Sequence, residues 1–260
     1  MRLPYLVLLL SLFGQNAFSA TNINIGGYMF PPFVNISSGK PIGLTLDLIE
    51  LFNQQQSEFN FQFILTSPKR RYIDFRRGKI DALFFESKQW SWGSFSISPT
   101  QVFLQGGEVY ITKKDNKKTQ TYFENIKKRS LVGILGYHYQ FANFESNEYK
   151  LKRDFDIQLV TSPSTLINQV ISQKADIGII TRSFLAKYLV DNPSMKGQLL
   201  VSDKSDQTYD HTLLIRNDSL FSVQKANLLI NKVINNGTLK ALLLKYGLKP
   251  TDLPSKINPT

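Results

Sequence analysis

Residues 67–85, SPKRRYIDFRRGKIDALFF, and residues 162–180, SPSTLINQVISQKADIGII, follow the same plan. Each stretch starts with a Ser-Pro pair, which predicts a helix start because serine caps a helix and proline fits its first turn. An Asp beside a short apolar run follows and predicts a buried strand. Two copies are too few for a solenoid, so the repeat indicates two α/β lobes of related plan.

Strand and helix patterns alternate on both sides of the repeated stretches. The sequence predicts strands over 23–28, 59–65, 80–85, 131–135, 157–160 and 175–180, and helices over 139–145, 183–190, 219–235 and 238–246. Two further extended segments, 108–112 and 210–215, predict crossings between the lobes. Two connecting strands would form a hinge with a ligand cleft beside it.

The chain begins with the features of a secretory signal peptide. Arg2 precedes an apolar run over 3–13, and small residues occupy 17–20. The run is too short to span a bilayer, which takes about 20 apolar residues. We predict a signal peptide over 1–20, cleaved after Ser19 or Ala20, and an exported chain in the bacterial periplasm.

The predicted organisation of the chain has four parts. These are the signal peptide over 1–20, a discontinuous first lobe over 21–108 and 212–248, a second lobe over 109–211 that includes the hinge strands, and a loose C-terminal tail over 249–260.

Composition excludes several kinds of site. The chain has no Cys, which removes disulfides, Cys-ligated zinc, iron–sulfur clusters, thiol catalysis and an N-terminal lipid anchor. Two His residues leave little for a metal site, so we expect no metal and no cofactor. The net charge is +11, but the basic residues form short runs that indicate solvated faces, and an exported chain rarely meets nucleic acid.

Short pieces spread over the whole mature chain carry a family resemblance. They are YMFPPF at 28–33 with Gly39 and Gly43, GKIDA at 78–82, Ser98-Pro99, VGILG at 132–136, ADIG at 175–178, INNGT at 234–238 and KYG at 245–247. In this order, behind a signal peptide, they resemble the family 3 solute-binding proteins, which are the periplasmic receptors of amino-acid-type ABC importers. The segments PKRR at 68–71 and GYHY at 136–139 resemble a divergent branch of that family.

The resemblance implies a two-lobed periplasmic-binding-protein fold of type II. It implies a monomer that binds a small polar ligand and has an inner-membrane ABC permease, or a sensor, as its partner. The chain departs from the family at the expected ligand contacts: Gly93 stands at the usual carboxylate-binding Arg, and Thr181 at the usual ammonium-binding Asp. The identity of the ligand therefore stays open.

Candidate ligand-binding residues lie where predicted strands end or helices begin. They are Tyr28, Phe30, Arg70, Arg71, Glu86, Ser87, Lys88, Trp90, Gly136, Tyr137, His138 and Thr181. Aromatic rings are suited to stacking on a ligand or on a cation, and a guanidinium matches a carboxylate. The sequence does not decide which of Arg70 and Arg71 faces the cleft.

The remaining candidates have alternative roles. Glu86 is suited to an ammonium group and Lys88 to an anion, unless they pair with each other. Gly136 and Tyr137 open a predicted helix whose free N–H groups would suit a carboxylate. His138 would be a donor or a proton carrier, and Thr181 adds a hydroxyl.

The sequence favours a receptor over an enzyme. The receptor would capture an amino acid, or a related small carboxylate or amine, for ABC-type import or for sensing. The alternative is a cyclohexadienyl dehydratase, an enzyme for prephenate or arogenate that resembles the same family, with Glu86 or His138 as proton donor. We expect no catalytic residues, because the sequence shows no evident acid/base pair.

Overall fold

The computed structural model describes residues 19–249. The predicted signal peptide, except for its last two residues, lies outside the described residues, and so does the predicted tail beyond Lys249. The boundaries of the two lobes given above stay predictions. Between residues 19 and 249, no helix has the length and apolar character needed to cross a membrane.

Eleven strands and seven α-helices make up the described chain. The strands are β1 (Thr21–Gly27), β2 (Asn35–Ser37), β3 (Lys40–Ile42), β4 (Phe59–Leu65), β5 (Ala82–Glu86), β6 (Ile97–Pro99), β7 (Leu104–Lys113), β8 (Leu131–Ile134), β9 (Ile157–Val160), β10 (Ile177–Thr181) and β11 (Leu199–Arg216). The helices are α1 (Leu44–Gln55), α2 (Arg71–Arg76), α3 (Glu148–Asp154), α4 (Pro163–Ile171), α5 (Arg182–Asp191), α6 (Val223–Asn235) and α7 (Thr238–Lys245).

One sheet runs through both lobes in the order β4-β1-β5-β11-β7-β10-β8-β9, with β6 beside β11. In the first lobe, β1 pairs in parallel with β4 and β5. In the second lobe, β8 pairs in parallel with β9 and β10. The antiparallel strands β7 and β11 join the two halves, as predicted for the hinge.

The two repeated Asp residues perform the same task in the two lobes. Asp81 donates its main-chain N–H to the carbonyl of Asn24, and its carboxylate accepts the main-chain N–H of Asn24 at 2.9 Å. Asp176 exchanges the same pair of bonds with Ser130, with the carboxylate accepting at 3.1 Å. Each Asp therefore fixes the start of one strand against the neighbouring parallel strand.

Apolar side chains at helical spacing are buried along one face of α1, α4 and α6. In α4, the side chain of Ser162 caps the helix by accepting the main-chain N–H of Thr165. Leu166, Ile167 and Val170 form the buried face of the same helix. In the first lobe, aromatic rings pack edge to face between the sheet and its helices: Phe52, Phe59, Phe61, Phe84 and Phe221. Burial of each such ring contributes roughly 1.5–3 kcal/mol to folding.

Three predicted helix starts differ from the structure. The helix predicted over 219–235 begins only at Val223, because Ser222 caps it by accepting the N–H of Lys225. After Ser67-Pro68 the chain makes a turn, and the helix begins only at Arg71. The helix predicted over 139–145 is wrong: only a 3-10 helix over Gln140–Ala142 forms. Asn143 and Phe144 then adopt left-handed φ angles of 53° and 60°, which end any helix.

Candidate functional site

A cavity lies where the two lobes meet at the hinge strands. The residues that line it are Tyr28, Phe30, Arg71 and Trp90 of the first lobe, Gly136, Tyr137 and His138 of the second lobe, and Glu108 of β7. We call this space the interlobe cavity. It measures about 10 Å³, roughly room for the centre of one water molecule, because the side chains of both lobes close over it.

Direct contacts hold the two lobes together around this cavity. The hydroxyl of Tyr137 donates to the main-chain carbonyl of Met29 at 3.0 Å. The hydroxyl of Ser91 lies 3.0 Å from Nε2 of His138. An exposed ion pair of 3.3 Å joins Lys69 to Glu148 at the rim. The structure is therefore the closed arrangement of the lobes.

A buried ion pair lies at the floor of the cavity on the first-lobe side, where Arg71 lines the cavity and Glu86 lies behind it. Nε of Arg71 lies 3.2 Å from Oε1 of Glu86, and both side chains are almost fully buried. The other oxygen, Oε2 of Glu86, accepts from the indole N–H of Trp92 at 2.8 Å. Trp92 belongs to the core and packs on Tyr72. The pairing of Glu86 is thus with Arg71, and not with Lys88.

The backbone is strained where it delivers Glu86 to this pair. Phe85 has a φ of 60°, an unusual value for a bulky residue. The pairing of β5 with β11 shifts register between Thr212 and Leu214, opposite this point. The bulge re-aims the end of β5, so that the Glu86 side chain turns inward toward Arg71.

Burial and charge set the protonation of the pair. Burial would lower the pKa of Arg71, but the attraction of Glu86 raises it overall, so the guanidinium stays charged. Burial raises the pKa of Glu86, and Arg71 and the Trp92 hydrogen bond oppose that shift. The pair therefore brings little net charge to the cavity.

His138 is neutral in this environment. Burial, followed by the charge of Arg71, lowers its pKa to about 3. Its Nε2 faces the hydroxyls of Ser91 at 3.0 Å and Tyr72 at 3.4 Å. The expectation that His138 carries protons near neutral pH is not supported, because so low a pKa leaves the ring uncharged there.

The chain at Gly136 forms a turn and not a helix start. Gly136 has a φ of 81°, and the N–H of Tyr137 donates to the carbonyl of Ile134. Further along the chain, the N–H groups of Gln140 and Phe141 donate to the carboxylate of Asp206 at 2.9 and 3.0 Å. The protein's own Asp206 thus binds the N–H groups that open the 3-10 helix over Gln140–Ala142, and a role of Gly136 and Tyr137 in holding a ligand carboxylate stays a prediction.

Five of the predicted ligand residues do not line the interlobe cavity. Glu86 is fully buried beside Arg71, and the other four lie elsewhere. Arg70 is largely exposed and donates to Asp74 at 3.2 Å, outside the interlobe cavity. Ser87 and Lys88 line a separate open groove, next to Arg182. Thr181 is buried at the end of β10, directly opposite Glu108 in the sheet.

The sequence reasoning missed the residues that β7 and β11 bring to the site. Glu108 lines the cavity, and its Oε1 accepts from the hydroxyl of Tyr209 at 3.2 Å. Gln207 donates to the carbonyl of His138, and His211 packs on Tyr209. A signal was present: Glu108 is a charged residue at the start of an otherwise apolar stretch, Val109 to Ile111 in β7.

Among residues 19–249, no group of three or more His, Cys, Asp or Glu residues is placed to hold a metal ion. The expectation of a metal-free, cofactor-free site stays a prediction.

Comparison of the sequence with protein-family models finds no match, and comparison with curated proteins finds none. Comparison of the structure finds many. An ABC uptake transporter substrate binding protein from Streptococcus pneumoniae with bound histidine is 17% identical, with a TM-score of 0.71, over 90% of this chain and 95% of that chain.

Two further similar structures also hold amino acids. The amino acid ABC transporter substrate-binding protein AbpA from Streptococcus pneumoniae, bound to L-arginine, is 15% identical with a TM-score of 0.66, over 87% of this chain and 94% of that chain. The GluR0 ligand-binding core from Nostoc punctiforme, in complex with L-glutamate, is 14% identical with a TM-score of 0.66, over 86% and 98%. These likenesses establish the two-lobed type II fold expected from the sequence.

Proposed function

We propose that this protein is a solute-binding protein that captures a small polar ligand between its lobes. The ligand class is an amino acid or a related small carboxylate or amine. The observation that carries the proposal is the interlobe cavity, whose walls come from both lobes and from the strand that joins them. Binding sites at such junctions couple ligand contact to lobe closure.

The closing contacts support this mechanism. Tyr137 to Met29 and His138 to Ser91 are polar contacts between side chains of one lobe and groups of the other. A ligand that enters the open cleft replaces water around these groups, and closure then buries it under Trp90 and Tyr137. Affinity comes from the polar contacts that only the closed arrangement completes.

The structural neighbours support the wider setting. Two of the similar structures are substrate-binding proteins of ABC transporters, and each holds an amino acid. We therefore propose an inner-membrane ABC permease, or a sensor, as the partner of this chain. The predicted signal peptide over 1–20 supports a periplasmic location, and we propose that the protein acts there as a monomer.

A thermal-shift screen followed by calorimetry tests the proposal. The purified protein is mixed with amino acids, amines, small dicarboxylates, sugars and prephenate. A ligand present at 100 times its dissociation constant adds about 2.7 kcal/mol to the stability, which gives a clear rise in Tm. We expect such a rise with one chemical class and no consumption of prephenate.

Two results would contradict the proposal. A folded protein whose Tm does not change with any compound of the panel would contradict the receptor function. Turnover of prephenate, detected as a fall in the prephenate concentration, would identify the protein as an enzyme of the dehydratase class instead of a receptor.

A further inference from the structure

The positive charge of Arg71, which lines the interlobe cavity, is already paired with a carboxylate of the protein. Nε of Arg71 pairs with Glu86, Nη1 donates to the carbonyl of Pro68, and Nη2 donates to the hydroxyl of Tyr72 at 2.7 Å. Nη1 and Nη2 therefore donate hydrogen bonds within the protein, whereas Nε lies at ion-pair distance from Oε1 of Glu86 without a hydrogen bond between the two atoms. A ligand carboxylate would have to displace Glu86, which would leave a buried carboxylate unpaired at a high cost.

The carboxyl group of Glu108 is, in contrast, only half engaged in hydrogen bonds. This side chain is 2% exposed and lines the interlobe cavity. Its Oε1 accepts from Tyr209, whereas its Oε2 has no hydrogen-bond partner within residues 19–249. A buried acceptor without a donor costs free energy, so Oε2 is suited to a donor that arrives with the ligand.

The charged groups around Glu108 do not neutralise it. Burial, and then the nearby carboxylate of Asp206, raise the pKa of Glu108 well above its usual range. Interactions with the side chains of Tyr209 and Gln207 oppose that shift, followed by the charge of Arg182. The guanidinium of Arg182, in α5, is exposed and donates to the carbonyl of Gly106. His138 is uncharged. A positive ligand group beside Oε2 would favour the ionised form of Glu108 and would gain from the field of Asp206.

Aromatic rings supply the other walls of the cavity. Phe30 meets Tyr137 edge to face at 5.5 Å and Trp90 at 5.9 Å, and Trp90 meets Tyr209 at 4.7 Å. Tyr28 already accepts the guanidinium of Arg71 over its ring at 4.6 Å. Ring faces attract cations, most strongly where water is excluded.

We propose that the ligand of this cleft is an organic ammonium ion without a carboxylate, bound through N–H to Oε2 of Glu108 and enclosed by the aromatic rings of Phe30, Trp90 and Tyr137. This inference rests on the proposed receptor function and narrows its ligand class. Arg71 and Glu86 then act as a preformed floor and not as the ligand's anion anchor.

Calorimetry with matched pairs of ligands tests the inference on the unmodified protein. The pairs are cadaverine with lysine, agmatine with arginine and histamine with histidine, which differ only in the α-carboxylate. We expect at least one amine to bind, and to bind at least tenfold more tightly than its parent amino acid. An amino acid that binds more tightly than its amine would overturn the inference.

A variant of the carboxylate gives a second, independent test. Glu108→Gln keeps the shape and the acceptor for Tyr209 but removes the charge, and we expect it to weaken amine binding at least tenfold. Asp203→Asn is the matched control, since Asp203 is an exposed carboxylate on β11 outside the cavity, and it should leave the affinity unchanged. Full amine affinity in a folded Glu108→Gln protein would contradict the role of Glu108.

The failure of this inference and the failure of the receptor function give different results. Tight binding of a sugar, a dicarboxylate or an amino acid overturns the ammonium ligand but keeps the receptor. The absence of any binding across the panel overturns both.

Discussion

The hydroxyl of Tyr137 donates a hydrogen bond of 3.0 Å to the main-chain carbonyl of Met29, 108 residues earlier in the chain. Tyr137 stands in the second lobe and Met29 in the loop after β1 of the first. The ring of Tyr137 also packs edge to face on Phe30. One side chain thus contributes both a polar and an aromatic contact to lobe closure.

Tyr137→Phe is expected to weaken ligand binding while the protein stays folded. The change removes only the hydroxyl and keeps the ring on Phe30. Loss of one hydrogen bond costs about 1 kcal/mol, so calorimetry should show a dissociation constant about fivefold higher. Tyr149→Phe, at a tyrosine that is 85% exposed, is the control and should leave the affinity unchanged. Equal effects in both variants would show that the hydroxyl of Tyr137 does not contribute to lobe closure.

Arg71→Met is expected to destabilise the protein strongly, because it leaves Glu86 buried without its cation. Breaking one side of a buried pair costs about 3–5 kcal/mol, which urea unfolding measures. Arg70→Met is the matched control on the exposed neighbour and should stay within about 0.5 kcal/mol of the parent protein. A larger loss of stability in Arg70→Met than in Arg71→Met would show that Arg70, and not Arg71, is the buried arginine.

The loss in Arg71→Met is expected to be partly repaired by neutralising its partner. In the double variant Arg71→Met with Glu86→Gln, no unpaired charge remains, and the amide oxygen still accepts from Trp92. We expect the double variant to be more stable than Arg71→Met alone by at least about 1 kcal/mol. Strictly additive losses in the two single variants would show that the residues do not interact.

Gly136→Ala is expected to hold the lobes apart. A Cβ at Gly136 would lie 2.9 Å from Cβ of Pro68 in the other lobe, at a φ of 81° that favours glycine. Small-angle scattering should show a larger radius of gyration, and ligand affinity should fall. Gly93→Ala, where a Cβ meets nothing within 4 Å, should do neither. A compact Gly136→Ala protein with normal affinity would contradict the closed contact.

His211 is expected to make stability depend on acid. Burial lowers its pKa to about 3 in the folded protein, whereas a free histidine titrates near pH 6.5. The unfolded chain therefore binds a proton first as the pH falls, and stability is lost between about pH 6.5 and 3. The slope from this residue reaches about 1.4 kcal/mol per pH unit.

His211→Asn isolates this effect. Asparagine can still donate to the carbonyl of Phe85, as Nδ1 of His211 does at 2.9 Å, but it does not titrate. Urea unfolding of both proteins from pH 7 to 4 should show a steeper loss for the parent protein. The rise in pKa of the buried Glu86 and Glu108 acts in the opposite direction, and it cancels because both proteins share it. A pH-independent difference in stability would show that His211 binds its proton over the same pH range in the folded and the unfolded chain.

The sequence predicted helices well where local signals agreed. Ser162 and Pro163 start α4 as expected, because the cap, the proline and the buried spacing all point to one helix. The segment over 139–145 lacked such a start signal. Its course is set by Asp206, 66 residues away from Gln140, whose carboxylate binds the free N–H groups. Tertiary contacts of this kind leave no mark in the local pattern.

The site was predictable in its first-lobe half more than at its hinge. Tyr28, Phe30 and Trp90 follow strands at the ligand edge, and strand ends can be read from the sequence. The choice between Arg70 and Arg71 needed the true start of α2, which differs from the Ser-Pro signal by a turn. Glu108 was missed because its direction depends on the register of β7 against β10 and β11, which one sequence does not contain.

The strand β11 extends over 18 residues and hydrogen-bonds to β7 along both lobes and to β5 and β6 in the first lobe. Each lobe therefore depends on β11 to complete its part of the sheet, because removing β11 would leave strands in both lobes without a hydrogen-bonding neighbour. We therefore expect that neither lobe folds stably when it is expressed alone. The same continuity makes them melt together, in one cooperative transition, despite their related plan.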